Sequence, residues 1–263
     1  MSCLLPIRSV EKPWGRDGLP APFASAPGKR IGEIWFEPPP ALDALLVKYL
    51  FTSEKLSVQV HPPGAGGKEE CWLVVAAEPG AALGIGFREP LGAEAMRAAA
   101  LDGSIEHLLE WHSVEPGDFF YIPAGTVHAI GAGVGLIEVQ QNSDITYRLY
   151  DYGRLRELHL GEGIAAAKGV PHNPALRRKL PENGSLTLVD GPHFRLDRIE
   201  GPPGGELAAR YAGALLVIPL AGELEVAGET VLPGQCALAA SLDQLAIAEG
   251  CQCLLAQPCG SGE

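Results

Sequence analysis

Leu56-Ser57-Val58-Gln59-Val60-His61-Pro62 reads as a short strand whose polar residues fall where an ordinary core would place Val or Leu. Alternate side chains of a strand share a face, so Gln59 and His61 point together. Lys68-Glu69-Glu70 follows, and Lys68 and Glu70 stand in the same two-residue relation. Much later comes Pro123-Ala124-Gly125-Thr126-Val127-His128, in which the Pro-x-Gly turn sets the entry of a further strand. One Gln, two His and one Glu can then converge as four N/O donors of the kind a divalent metal such as zinc accepts.

The rest of the chain supports a β protein around these segments. In 263 residues there are 33 Gly and 23 Pro, spread throughout, which favours short strands and turns over long helices. Residues 56–61 and 70–77 read as strands joined by the Pro- and Gly-rich loop Pro62 to Gly67. Ile31–Phe36, Ala44–Leu50, Gly117–Pro123 and Gly135–Gln140 supply further apolar runs of strand length. Between Gly92 and Trp111 the period changes: Ala93, Met96 and Ala100, then Ile105, Leu108 and Leu109, recur at helical spacing around the break Asp102-Gly103-Ser104. Two short helices are expected there, inserted between strands.

After a polar, Pro-containing connection near 165–185, short strands resume, among them Leu186–Val189, Ala214–Pro219 and Gly222–Val226. This later run carries one histidine, His193, and no carboxylate–histidine constellation. The expected organisation is an all-β chain of two β units. Residues 1–165 form a metal-binding unit with a helical insertion at about 92–111, and residues 166–263 form a second unit without a metal.

Charge and composition narrow the partners. The net charge is 20 − 32 = −12, which argues against nucleic acid or an anionic membrane surface. No apolar stretch approaches the roughly 20 residues of a membrane span, and Met1–Pro6 breaks off before a secretory-type apolar run forms. The six cysteines are scattered, and with a cytoplasmic location they are expected to be reduced. Cys251-Gln252-Cys253 with Cys259 has no histidine nearby and reads as tail cysteines rather than a metal cluster.

Each candidate ligand has a plainer reading when taken alone. A His beside Pro in a β loop is more often a hydrogen-bonded structural residue, and a single Glu is usually a surface carboxylate. Gln59 is harder to dismiss, because burying an unpaired amide costs about 1–3 kcal/mol. The motifs together decide the matter. Gly117-Asp118 through Pro123-Ala124-Gly125-Thr126-Val127-His128-Ala129 resembles the second motif of the cupins. Leu56–Pro62, Lys68-x-Glu70-x-Trp72 and Gln140-Gln141-Asn142-Ser143-Asp144-x-Thr146-Tyr147-Arg148 resemble type I mannose-6-phosphate isomerases. The resemblance runs over about residues 10–160, and over the tail only by its β character.

That resemblance implies two cupin-like jelly-roll barrels and a zinc-dependent aldose–ketose isomerase acting on mannose 6-phosphate and fructose 6-phosphate. It implies Gln59, His61, Glu70 and His128 as metal ligands, and Lys48, Ser57 and Arg148 as substrate-binding residues. Glu138 and Lys68 are the candidates for the proton-transferring group, Glu138 first, with Arg148 as the fixed cation of the reaction. Moving a carbonyl from C1 to C2 leaves negative charge on an enediolate oxygen, which a divalent cation and a guanidinium can both stabilise. Alternatives stay open: Glu138 and Arg148 can be a structural ion pair, and Lys48 can be a strand lysine that snorkels. A non-catalytic or regulatory cupin that binds a sugar or sugar phosphate is the competing function. A metal-dependent oxygenase is disfavoured by Gln59 in the ligand set.

The chain also departs from the family pattern. Pro63-Gly64 follows His61-Pro62 where acidic residues are common, which bears on substrate access. Lys12-Pro13-Trp14-Gly15 is similar to the family's opening, but Arg16 stands where a second glycine is usual. The compact length resembles the short bacterial forms. A cytoplasmic monomer or weak homodimer is expected.

Overall fold

The computed structural model describes residues 3–259 apart from residues 26 and 65. Residues 260–263, the end of the expected second unit, lie outside the described residues. The first part of the chain runs β1 (Ile7–Arg16), β2 (Ile31–Phe36), β3 (Leu45–Phe51), β4 (Val58–Val60), β5 (Glu70–Ala77) and β6 (Ala82–Phe87). It continues through α1 (Ala93–Asp102), α2 (Ile105–Leu108), β7 (Leu109–Ser113), β8 (Asp118–Ile122), β9 (His128–Ile130), β10 (Val134–Gln141), β11 (Tyr147–Tyr150), α3 (Leu160–Ala166) and β12 (Arg177–Lys179). The second part runs β13 (Leu186–Asp190), β14 (Phe194–Glu200), α4 (Gly205–Arg210), β15 (Leu215–Ala221), β16 (Leu224–Val226) and β17 (Glu229–Val231). It ends with β18 (Ala237–Ala239), β19 (Leu245–Ile247) and β20 (Gln252–Pro258).

These strands form antiparallel sheets stacked in layers. A seven-stranded sheet, β1-β2-β3-β10-β5-β8-β12, faces a five-stranded sheet, β11-β4-β9-β6-β7. Trp14, Leu50, Trp72, Phe120 and Leu136 of the first meet Leu83, Ile85 and Ile130 of the second in one buried core. A second five-stranded sheet, β13-β14-β20-β15-β18, faces the three-stranded sheet β17-β16-β19 across Val217, Leu255, Leu224 and Val231. The two large sheets then pack back to back. Val47, Tyr49, Leu73, Ile137 and Val139 meet Leu196, Leu216, Ile218 and Leu254 there. An alternating strand with one polar-lined face and one apolar face serves this arrangement, whereas a strand apolar on both faces would not.

The helical insertion forms where the spacing places it up to Leu108. Leu109, read as helical, instead begins strand β7, which pairs with β6, so the insertion ends short of residue 111. Met96, Ala99 and Ala100 turn α1 inward, and with Ile105 and Leu149 they cover the outer face of the first five-stranded sheet. Gly103 ends α1 in the left-handed region at φ 83°, a conformation that favours glycine. β4 is shorter than the expected strand at 56–61. It pairs with the short β9 at a single position, Gln59 opposite His128, and Pro62 offers no N–H to extend the ladder.

Pairing also extends the first part beyond residue 165. β12 joins the edge of the seven-stranded sheet beside β8, while Lys168 and Pro171 bridge to Thr126 and Gly86. Leu4 in turn bridges to Ala237 of the second part. No described helix is long and apolar enough to cross a membrane.

Candidate active site

Two cross-strand rows build the site between the facing sheets of the first part. On the seven-stranded sheet, Trp35 of β2, Lys48 of β3, Glu138 of β10 and Trp72 of β5 lie in register. Two positions along, and so on the same face, Gln140 is opposite Glu70. On the five-stranded sheet, Arg148 of β11, Gln59 of β4 and His128 of β9 form the opposing row. Residues scattered over more than a hundred positions are thus brought together by register alone.

Three donors converge at the centre. Ligand atoms of His61, Glu70 and His128 all lie within 4.8 Å of one another, and all three residues are buried. His61 Nδ1 donates to the Ile145 carbonyl at 2.9 Å and His128 Nδ1 donates to the Thr126 carbonyl at 2.9 Å. Each Nε2 is left to accept: His61 Nε2 lies 3.3 Å from Lys68 Nζ and His128 Nε2 lies 3.3 Å from Gln59 Nε2, with Glu70 oxygens at 3.4 Å and 3.5 Å. That is the tautomer a metal-ligating imidazole needs, with its other nitrogen fixed by a backbone acceptor.

Glu70 Oε2 is buried and its nearest charged neighbour is the Lys68 ammonium at 2.9 Å. A buried carboxylate between two imidazoles suits a bound cation. The Gln59 amide lies 3.3 Å from His128 Nε2, and Ser57 Oγ donates to Gln59 Oε1 at 3.1 Å. Burial, then Lys68 and His128, hold His61 well below the usual histidine range. Burial likewise lowers His128, against the pull of Glu70. Both rings are therefore neutral near pH 7, as ligands must be.

A buried chain of alternating charge adjoins the donors. Lys48 Nζ donates to Glu138 Oε1 at 3.1 Å, and Trp72 Nε1 donates to Glu138 Oε2 at 3.1 Å. Lys68 lies between Glu70 at 2.9 Å and Glu138 at 3.8 Å. The two lysines shift in opposite directions. Burial lowers Lys48, which Glu138 only partly offsets, whereas on Lys68 the combined attraction of Glu70 and Glu138 outweighs burial and raises its pKa. The Lys48 ammonium also sits 4.5 Å from the centre of the Trp35 ring, a cation–π contact.

Gln59, Lys68, Lys48, Glu138 and Arg148 line one cavity of about 280 Å³. A larger groove of about 740 Å³ passes Phe23, Tyr49 and Phe51 between the two parts of the chain. It contains none of these residues, so the smaller cavity is the chemically relevant one. Among the described residues Arg148 has no carboxylate within ion-pair distance; its Nη1 donates to the Glu157 carbonyl at 2.7 Å and its Nε is buried without a partner. The other cations of the cavity are committed: Lys12 to Glu33 at 3.2 Å, and Arg156 to both oxygens of Asp151 at 2.6 Å. Arg148 is the one poised to meet an anion.

Comparison with known proteins finds relatives in sequence and in structure. No family model matches the chain. It is 40% identical over 198 residues to a mannose-6-phosphate isomerase of Streptococcus mutans, covering 68% of the chain and 61% of that relative. It is 36% identical over 208 residues to the mannose-6-phosphate isomerase ManA of Bacillus subtilis, covering 72% and 65%. The chain is a homologue of the mannose-6-phosphate isomerases. The match spans less than two thirds of the length of either curated relative. In structure it aligns with the mannose 6-phosphate isomerase of Bacillus subtilis at TM-score 0.76 and 25% identity, over 97% of this chain and 99% of that one. A putative mannosephosphate isomerase of Archaeoglobus fulgidus shares the fold at TM-score 0.72 and 17% identity, with 98% of each chain covered.

Within this mannose-6-phosphate isomerase homologue, the structure gathers Gln59, His61, Glu70, His128, Lys68, Glu138, Lys48, Ser57 and Arg148 around one centre. It does not pair Glu138 with Arg148; the carboxylate is taken by Lys48 and Trp72 instead. Nor does Lys48 snorkel, since it is 6% exposed and turned inward. Sequence reasoning gave no role to Glu33, Gln140 or Arg156. Glu33 is 7% exposed and accepts from the Trp35 indole at 2.8 Å. Its signal was a carboxylate inside the apolar run Ile31–Phe36, the same anomaly that singled out Gln59. Gly32 belongs to this corner as well: a Cβ there would stand 2.7 Å from both Lys12 and Trp14 side chains, so glycine lets β1 close over the cavity wall.

Proposed function

We propose that the chain is a metal-dependent aldose–ketose isomerase interconverting mannose 6-phosphate and fructose 6-phosphate. The observation that carries this reading is that the His61–Glu70–His128 donors adjoin, through Gln59 and Lys68, a cavity of about 280 Å³ lined by the buried Glu138 carboxylate and by Arg148, which has no carboxylate partner among the described residues. Gln59, His61, Glu70 and His128 would hold a divalent cation, zinc in the first instance. A zinc-bound mannose 6-phosphate isomerase has the same fold, at TM-score 0.72. When bound, the cation supplies Lewis-acid stabilisation of the enediolate charge.

The chain's own residues do the rest. Glu138, held by Lys48 and Trp72, takes the proton from C2 of the aldose and returns it to C1, while the hydroxyl proton of O2 passes to O1, so the carbonyl moves from C1 to C2 with no net change in composition. Lys68 is the second candidate for this transfer. Arg148 fixes the anionic intermediate or the phosphate through its planar fork. Ser57 and Lys48 were expected to hold substrate. The commitment of Lys48 to Glu138 and Gln140 favours a role beside the base over direct phosphate contact.

The reading extends to a two-unit organisation, expected to divide at residues 165/166 although β12 (Arg177–Lys179) pairs into the first unit's sheet, and to a cytoplasmic monomer or weak dimer. The six unpaired cysteines are in keeping with a reducing compartment. The test is a coupled assay of fructose 6-phosphate formation from mannose 6-phosphate, with and without a chelator. Turnover that is lost on chelation and restored by zinc is the expected result. A metal-loaded, folded protein that binds the sugar phosphate without converting it would support a binding cupin instead.

A further inference from the structure

Gln140 is fully buried two residues beyond Glu138 on the same face of β10, and its amide is saturated. Its Nε2 donates to two backbone carbonyls, Gln141 at 2.7 Å and Ser143 at 3.1 Å. Those two acceptors leave one orientation for the amide, with Oε1 towards Lys48 Nζ at 2.6 Å. Two tethers therefore hold the Lys48 ammonium, the Gln140 oxygen and the face of Trp35, while its third contact is Glu138. The turn that Gln140 holds leads directly to Ile145, whose carbonyl orients His61, and Ser143, Asp144 and Thr146 of that turn line the cavity.

We infer that Gln140 is a positioning residue: it pins Lys48 against Glu138 and ties that pair to the 141–146 turn of the cavity wall. Without its oxygen, a buried lysine would trade a fixed acceptor for whatever the cavity offers, and the Lys48–Glu138 geometry would loosen. The inference deepens the isomerase reading and rests on it for its kinetic consequence, but the tether itself is measurable without turnover.

The experiment compares Gln140→Leu, Gln140→Glu, Lys48→Met and the Gln140→Leu/Lys48→Met double variant in metal-loaded full-length protein. Lysine acylation, read peptide by peptide by mass spectrometry, is expected to rise at Lys48 by roughly fivefold or more in Gln140→Leu, with the exposed Lys29 and Lys179 unchanged. On mannose 6-phosphate, kcat of Gln140→Leu is expected to fall by roughly tenfold or more in protein whose zinc content has been brought to that of wild type. The double variant should be no slower than Lys48→Met alone, because both changes break one unit. Gln140→Glu, which keeps an acceptor for Lys48, should retain more activity than Gln140→Leu and carries the comparison if the latter does not fold. Unaltered Lys48 labelling, or losses that multiply in the double variant, would overturn the inference. An inactive wild type would overturn the isomerase reading instead, and Lys48 labelling would still decide the tether.

Discussion

Lys48 and Glu138 face each other across adjacent strands at 3.1 Å, both nearly inaccessible to water, with a second cation, Lys68, 3.8 Å from the same carboxylate oxygen. Removing one member of a buried pair strands the other. Lys48→Met is therefore expected to destabilise the protein by about 3 kcal/mol, near the low end for such changes because Lys68 remains. Denaturant unfolding at constant slope measures it. A change below about 0.5 kcal/mol would mean that the pair contributes little.

Arg148 offers the contrasting case. It has no carboxylate partner among the described residues, so Arg148→Ala should leave unfolding nearly unaltered while lowering kcat/KM on mannose 6-phosphate by roughly 10²-fold or more. Arg148→Lys should recover little, since an ammonium lacks the paired donors of the guanidinium. Steady-state kinetics beside a melting curve separates the two effects.

The donor set predicts one metal per chain. His61→Ala and His128→Ala should each cut zinc retention after dialysis to a small fraction of wild type. Loss of the Thr146 hydroxyl, 3.4 Å from His61 Nδ1, should matter far less because the Ile145 carbonyl remains the ring's closer acceptor. Elemental analysis of purified variants provides the check. Zinc bound at wild-type stoichiometry in both histidine variants would exclude this centre.

The buried histidines also set a pH dependence. His61, His128 and His172 are all lowered from 6.5, burial being the first cause in each. The unfolded chain then binds more protons than the native one between the native pKa values and 6.5. These histidines should therefore leave the stability of the metal-free protein unchanged just above pH 6.5 and lower it as the pH drops below that value. Urea midpoints from pH 8 to 5 test the sign, and a midpoint that rises on acidification through this window would contradict it.

Much of the site was legible because a strand has period two. Gln59-x-His61 and Lys68-x-Glu70 each place two polar side chains on one face whatever the strand pairs with, and an amide or carboxylate in an apolar run needs a reason. Pairing partners are another matter. Nothing local to Trp35 says that it lies opposite Lys48, and nothing in Gln140 says that its oxygen meets a lysine 92 positions away. The Glu138–Arg148 ion pair was a fair reading of two opposite charges ten residues apart. Register sent Glu138 to β3 and β5 and Arg148 to the facing sheet instead. The strand lengths were read to within a few residues, but the back-to-back packing of the large sheets depends on apolar faces that look like any other core.

The back-to-back packing turns β10 into a strand with two incompatible readerships. Ile137 and Val139 look into the apolar seam with the second part of the chain, while Glu138 and Gln140 look into the cavity. Slipping the strand by one residue would exchange the two sets, driving a carboxylate and an amide into hydrocarbon and plugging the cavity with Ile and Val. Insertions in this segment should thus be lethal to fold and chemistry at once. The seam's hydrophobicity is what keeps the cavity-facing alternation in phase.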